Sequence, residues 1–395
     1  MRILMAVPKY PFPVAGGLER QAHALAQALV RRGHSVTALS TRFDRSQRTI
    51  ESVDGVRILR VRWVEFKPVR FLMFPFSLAR RLFGVRGDID LVHVHNISWF
   101  GAFVTIFARL FGLPVITKLP GNGDFGIPMI RRRTLGIFRL ALLKRCDAII
   151  AMTPESATEL ESIGYPARRV LKVTNGIPLL PAVVRRPRSE PLTAVFVGRL
   201  SWEKGLPELL NAWASVKSAA SRPVLLRIIG DGPLERELRK LSSTLGLGDS
   251  VEFAGFAADV ASELATADLF VLPSYSEGNS NSVLEAMRAG LPIVATRVGG
   301  TPIQVGAEGD DLLVPPGDFR ALAEKLLEVI ENETLRLNSG VAMRARTETI
   351  FDIDRIASTY EQAYGLILRG QREQIGKINS SLFVHPEGRD LQCAE

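Results

Sequence analysis

Short apolar runs and segments of helical period alternate along this chain, and the alternation occurs twice. Residues 3–7, 35–39, 56–61, 90–94, 114–118, 147–151 and 170–173 have strand length and apolar composition. Helical segments lie between them. After Gly16-Gly17, the residues Leu18, Ala22, Leu25, Ala26 and Leu29 share one helix face, and Gly33 ends the segment. Further helices are predicted near 70–83, 99–111 and 131–145. Another opens at Thr153-Pro154-Glu155, where a cap, a first-turn proline and a first-turn acid follow one another. The pattern restarts with strands at 193–197, 224–229, 250–254, 268–272, 292–295 and 312–314, and helices at 205–218, 233–245, 258–266, 281–289 and 318–331. Continuous apolar strands are buried on both faces, and βα alternation predicts doubly wound parallel sheets. The chain is therefore α/β, and 395 residues divide into two such domains more readily than they build one.

The divider is the stretch from Ile177 to Pro191, rich in proline and arginine and without amphipathic period. The predicted organisation is a first domain over 1–180, a linker at 181–191, a second domain over 192–348, a last helix at 349–370 and a disordered tail from 371 to 395. The run from Ile97 to Ile116 has the length of a membrane span, but Gly112 and Pro114 break it into a buried helix and a buried strand. The start MRILMAVPKYPFP lacks the apolar stretch of a signal peptide. Two distant cysteines, Cys146 and Cys393, form no disulfide framework and fit a reducing cytoplasm.

Charge is unevenly spread. Residues 1–180 hold 27 Lys and Arg against 12 Asp and Glu, whereas the remainder holds 23 against 29. A basic first half with aromatic-flanked clusters (Arg80-Arg81 near Phe76 and Phe83, Arg131-Arg132-Arg133, Lys144-Arg145) suits an anionic membrane surface. Solvated helix faces are the plain alternative. No nucleic-acid recognition motif accompanies the charge.

Candidate chemistry gathers at the ends of predicted strands. The stretch Leu272–Gly300 reads as strand, turn, helix and strand, with Glu277 in the turn and Glu285 in the helix. A helix start offers unpaired N–H donors and the positive end of a dipole, which suits phosphate. Two carboxylates beside it suit the hydroxyls of a ribose or a sugar. Arg199, after Gly198, and Lys204 can together neutralise a diphosphate. Gly16 and Gly17 precede a helix and allow close approach of a ligand, although the spacing is not a dinucleotide fingerprint. His93 and His95 share a strand face. His95 is expected at the mouth of a cleft and His93 inside. Neither has the companions of a metal site. Lys118, Gly121, Asn122, Gly123, Asp124 and Gly126 form a polar loop open to an acceptor or phosphates. Gly230-Asp231-Gly232-Pro233 reads as a structural turn, with Asp231 as a helix cap.

These blocks, in this order, resemble glycosyltransferase family 4 over nearly all of residues 1–370. SEGNSNSVLEAMRAGLPIVATRVGG is similar to the family's E-x7-E signature, and GGLER, GRLSWEKG, GDGPLERELRKL and ADLFVLPSYSEG are similar to its other blocks. The resemblance implies the GT-B fold: two facing Rossmann-like domains with a C-terminal helix crossing back to the first. It implies that Glu285 binds the ribose of a UDP- or GDP-type donor and that Glu277 holds a hydroxyl of the donor sugar. The backbone from Gly278 and Asn279 through Ser280, Asn281, Ser282 and Val283 would hold the diphosphate, and Arg199 and Lys204 would stabilise its departure. Gly16 and Gly17 would lie beside the phosphates and the acceptor, and His95 near the reacting sugar. Asn279-Ser280 stands where the family often has a bulky residue and proline. The implied reaction is retaining transfer without metal or cofactor, to a glycan or lipid-linked acceptor at the cytoplasmic membrane face. A nucleotide-sugar epimerase or hydrolase of the same fold, and a non-catalytic nucleotide-sugar binder, stay open on sequence alone.

Overall fold

The computed structural model describes residues 1–10, 16–44, 46–62, 67–119, 121, 126–132, 135–179 and 190–378, with the backbone course alone for 67–72. Asn122, Gly123 and Asp124 of the polar loop, Arg133, most of the 181–191 linker and the tail beyond 378 lie outside them. The chain forms two compact units: Met1–Pro178 together with the segment from Ile353, and Leu179–Asp352.

The first unit is built on eight strands: β1 (Arg2–Ala6), β2 (Ser35–Arg42), β3 (Ile50–Val53), β4 (Val56–Arg62), β5 (Leu91–Val94), β6 (Val115–Lys118), β7 (Ala148–Ala151) and β8 (Val170–Lys172). Their order is β3-β4-β2-β1-β5-β6-β7-β8. All neighbours are parallel except β3, which pairs antiparallel with β4 at the edge. Among the described residues of 1–178 the helices are, in chain order, α1 (Gly17–Arg31), α2 (Lys67–Val85), α3 (Trp99–Leu110), α4 (Ile127–Arg132), α5 (Gly136–Leu143) and α6 (Pro154–Ser162). Side chains alternate across a strand, so each inner strand feeds two cores. Leu4 and Ala6 pack with Phe74, Leu78 and Leu82 of α2 and Val104 of α3. Ile3 and Met5 pack with Leu25 and Leu29 of α1 and with residues near the far end of the chain, Ile356, Tyr360 and Tyr364.

The second unit carries β9 (Leu192–Val197), β10 (Val224–Ile229), β11 (Val251–Gly255), β12 (Leu269–Leu272), β13 (Ile293–Thr296) and β14 (Leu313–Val314), all parallel, in the order β11-β10-β9-β12-β13-β14. Its helices are α7 (Leu206–Ala219), α8 (Glu235–Thr244), α9 (Val260–Ala265), α10 (Asn281–Arg288), α11 (Thr301–Val305), α12 (Phe319–Glu331) and α13 (Glu333–Ile350). In both units the strand order reverses beside the first strand, between β1 and β5 and between β9 and β12. Open α/β sheets bind ligands at that crevice, beyond the carboxyl ends of the strands.

The last helix, α14 (Ile353–Leu368), belongs to the first unit. Ile356, Tyr360, Ala363, Tyr364 and Ile367 recur on one face and are all buried. Ion pairs tie it to α1, Arg31 to Asp354 at 2.9 Å and Arg32 to Glu361 at 2.6 Å. Exposed pairs of this kind contribute at most about 1 kcal/mol each, so the apolar face sets the docking.

The run 97–116 divides into α3 and β6 as expected, and no helix among the described residues is long and apolar enough to cross a membrane. Other expectations change. The helix predicted over 131–145 is two shorter helices, α4 and α5. The tail expected to lose order from Gln371 instead opens with a helical turn, Arg372–Lys377. Ile375 is fully buried there, Arg372 meets Asp147 at 3.0 Å, and Glu373 pairs with Arg168 and Arg169. The edge strand β3 and the helices α11 and α13 carry no apolar pattern that predicts them.

Candidate active site

Three loops converge at the switch point of the second unit. The first leaves β9 through Gly198 and Arg199 and makes a short turn at Trp202–Lys204 before α7. The second leaves β12 as Pro273, Ser274, Tyr275, Ser276 and Glu277 and leads to α10. The third leaves β13 through Gly299-Gly300 into α11.

Backbone contacts fix them to one another. Tyr275 donates its N–H to the carbonyl of Glu203 at 2.8 Å, and Gly300 donates to the carbonyl of Gly278 at 2.8 Å. Gly299 has a φ of 52°, and a Cβ there would fall 1.8 Å from the carbonyl oxygen of Glu277. Only glycine fits that combination of backbone angle and close approach. Thr296, at the end of β13, donates its hydroxyl to the carbonyl of Ser274 at 2.5 Å.

The converging loops bring Lys204 and Glu277 together. Lys204 Nζ lies 2.6 Å from Glu277 Oε1, and Ser274 Oγ donates to the same oxygen at 2.7 Å. Glu277 is 7% exposed. A carboxylate removed from water needs such partners, because its charge is otherwise poorly solvated. Arg199, from the same loop as Lys204, is exposed and makes no ion pair among the described residues. Gly198 gives its N–H to the carbonyl of Ile229 at 3.0 Å, extending the β9–β10 pairing to the start of this loop.

Helix α10 starts at Ser280, whose carbonyl accepts the N–H of Leu284 at 3.3 Å. The N–H groups of Ser282 and Val283 therefore have no acceptor within the helix. The Ser280 N–H is already used: it donates to Gln304 Oε1 at 3.2 Å. Glu285 lies half-buried one turn into the helix. Burial lowers the pKa of the nearby Arg288 guanidinium, and the negative charge of Glu285 opposes that shift.

In the first unit the expectations fare less evenly. Gly16 caps α1 without a side-chain bond. A Cβ on it would meet Glu19 Oε2 at 2.5 Å, so the helix start is covered by the chain's own carboxylate. Burial raises the pKa of Glu19, while hydrogen bonds from the backbone of Glu19 and Gly16 pull it down.

His95 does not stand at an open mouth. It is 1% exposed at the end of β5 and stacks on His93, with ring centres 4.0 Å apart. Burial, then the charge of Lys118, lowers its pKa to about 3, so it is neutral at physiological pH. His93 bonds the hydroxyl of Tyr364 at 2.7 Å and lies against Tyr360, so α14 covers the His93 ring. Lys118 is buried too, with Nζ 2.6 Å from Asn175 Oδ1, and burial lowers its pKa to about 7.

Asp231 does not cap α8, which begins at Glu235 after Leu234 with no side-chain cap. Ser274, Thr296 and Gln304 escape a sequence reading. Each is a single polar residue without periodicity, and its importance comes from a partner on another loop. Among the described residues, no group of three or more His, Cys, Asp or Glu is placed to hold a metal ion.

Comparison with known proteins identifies the family and the fold. A family profile described as Glycosyltransferase Family 4 matches residues 15–179, and one described as Glycosyl transferases group 1 matches 191–332. WcaL of Escherichia coli K12, a glycosyltransferase assigned to colanic acid biosynthesis, is 31% identical over 68% of this chain and 68% of its own. A glycogen synthase of Mycobacterium tuberculosis is 26% identical over 94% of this chain and 96% of its own. The crystal structure of Anabaena HepE in complex with UDP-glucose superposes with a TM-score of 0.73 at 19% identity, covering 92% of this chain and 99% of that one. That likeness shows the fold, GT-B. With two parallel Rossmann-like sheets, the E-x7-E acids on the β12–α10 loop and helix, and relatives matching along its length, the chain belongs to glycosyltransferase family 4.

Proposed function

We propose that this glycosyltransferase moves a sugar from a nucleotide-diphosphate donor to a glycan or lipid-linked acceptor, with retention of configuration and without a metal ion or cofactor. The observation that carries the reading is the Lys204–Glu277 pair at the β9/β12 switch point, with exposed Arg199 on the same loop as Lys204 and the start of α10 directly after Glu277.

In this reading the N–H groups at the start of α10, together with Arg199 and Lys204, take the diphosphate. Glu277 accepts a hydrogen bond from a hydroxyl of the sugar, and Glu285 does the same for the ribose. The bond from the sugar C1 to the phosphate oxygen breaks. The acceptor oxygen bonds to C1 on the same face, and its proton passes to the departing diphosphate. Cationic side chains then supply the charge neutralisation that a metal supplies elsewhere. The UDP-glucose complex of HepE supports a UDP donor, with GDP as the alternative base. The roles of WcaL and of the glycogen synthase support a polysaccharide product.

We further propose that the first unit rests on an anionic membrane at the cytoplasmic face. Helix α2 buries Phe74, Leu78 and Leu82 yet exposes Phe76 (72%) and Phe83, while α5 exposes Ile137 (86%) and Phe138. Both helices pack on α3. Exposed arginines accompany them, among them Arg80, Arg131 and Arg132. Apolar side chains among cations suit a lipid headgroup layer.

The test is a calorimetric panel of nucleotide-diphosphate sugars, followed by product analysis by NMR. One preferred donor, and a product with the donor's anomeric configuration formed in the presence of EDTA, are expected. Inversion, or donor turnover without acceptor, overturns the reading. Sedimentation with phosphatidylglycerol vesicles at low and high salt tests the membrane surface. Absence of binding at low salt ends that part.

A further inference from the structure

The turn before α10 is held by a residue with no part in the family signature. Gln304, on α11, is fully buried. Its Oε1 accepts the N–H of Ser280 at 3.2 Å. Its Nε2 donates to the carbonyl of Ser280 at 2.7 Å and to Asn279 Oδ1 at 3.4 Å. Its own backbone is anchored in turn: Gln304 N–H donates to Gly300 O at 3.0 Å, and Arg346 of α13 donates Nε to Gln304 O at 2.8 Å. One amide thus answers both backbone groups of Ser280, while Gly300 answers the carbonyl of Gly278.

We propose that Gln304 is a positioning residue for diphosphate binding: it holds the Ser280 carbonyl turned inward, while Gly300 holds that of Gly278, and the start of α10 is left presenting N–H groups. This rests on the reading of α10 as the diphosphate site. The physical reason is that a carbonyl oxygen facing the ligand would repel phosphate, and an unheld turn would sample such states. Preorganised donors cost nothing to orient at the moment of binding. Asn279-Ser280 lacks the stiffness that a proline gives a turn, and the buried amide supplies it from outside.

The test compares UDP and GDP with UMP and GMP by calorimetry, on wild type, Gln304→Leu and Gln304→Glu. Leucine keeps the volume and removes all three bonds. Glutamate keeps the acceptor for Ser280 N–H and replaces the donor with a carboxylate. Wild type is expected to bind one diphosphate more tightly than its monophosphate. In both variants that ratio should fall about tenfold, while the monophosphate affinity and the far-ultraviolet circular dichroism stay at wild-type level. A folded variant, either one, with the wild-type ratio overturns the positioning role and leaves the proposed function standing. A wild type that binds no nucleotide overturns the proposed function itself. Equal losses for mono- and diphosphate also overturn the proposal, because they mark a general structural role.

Discussion

Lys204 and Glu277 meet across 73 residues of sequence as a half-sheltered ion pair, Nζ to Oε1 at 2.6 Å. Each compensates the other where water is scarce, so the pair joins stability to chemistry. Truncation of one partner leaves an unpaired charge, worth about 3–5 kcal/mol for a fully buried pair. Lys204 keeps some solvent access, so about 1–3 kcal/mol is the fitting scale here. Lys204→Ala is expected to fold, to melt several degrees lower and to lose most transfer activity. Thermal melts with donor-saturated turnover measure both effects.

Arg199 is the contrasting case. It is exposed and makes no ion pair among the described residues, so Arg199→Ala should leave stability within about 0.5 kcal/mol of wild type. Its effect should appear in turnover and in affinity for the nucleotide diphosphate. A melting shift as large as that of Lys204→Ala contradicts this division.

Gly299→Ala should be more damaging than any change of a charged residue in the site. A Cβ at a φ of 52° and 1.8 Å from the Glu277 carbonyl cannot be placed without moving the loop that carries the acid. A loss of about 2–4 kcal/mol is expected, with donor binding lost alongside. Urea titration and calorimetry on the same sample check it.

The buried bases of the first unit predict a pH signature. Lys118 has its pKa lowered from 10.5 to about 7, so the unfolded chain binds more protons between those values. Stability should therefore rise with pH from about 7 towards 10.5 through this group. His95, lowered from 6.5 to about 3, acts in the same direction over the acid range, and its contribution is lost as pH falls from about 6.5 to 3. Lys118→Met should flatten the alkaline rise and weaken the acid limb without abolishing it, because the Lys118 charge helps to lower the His95 pKa while burial, the larger cause, persists. Urea unfolding at spaced pH values reads both limbs.

The parallel strands were legible because a strand buried on both faces must be an apolar run, as in AIIA of β7 or LFVL of β12. β3 was not, because an edge strand half in water needs no such run. Nor was α13, which buries only Ser339, Gly340, Met343 and Thr347 among its eighteen residues. Strand periodicity places His93 and His95 on one face, but it does not say what covers that face. Tyr360 and Tyr364, more than 260 residues later in the chain, cover His93, and His95 stacks on His93 in turn. Glu277 and Lys204 stood out as charged residues after apolar strands. Gln304 had no such marker, since a lone glutamine on a five-residue helix becomes informative only when its partner is known.

The helix α14 also orders events during synthesis. The second unit is one continuous stretch of chain, whereas the first is completed only when residues 353–378 have emerged. Until then the sheet face formed by Ile3, Met5, Ile150 and Leu171 lacks part of its cover. The half made first is thus the half that finishes last. A chain truncated after residue 352 should hold a protease-resistant second unit beside a first unit that proteases still cut.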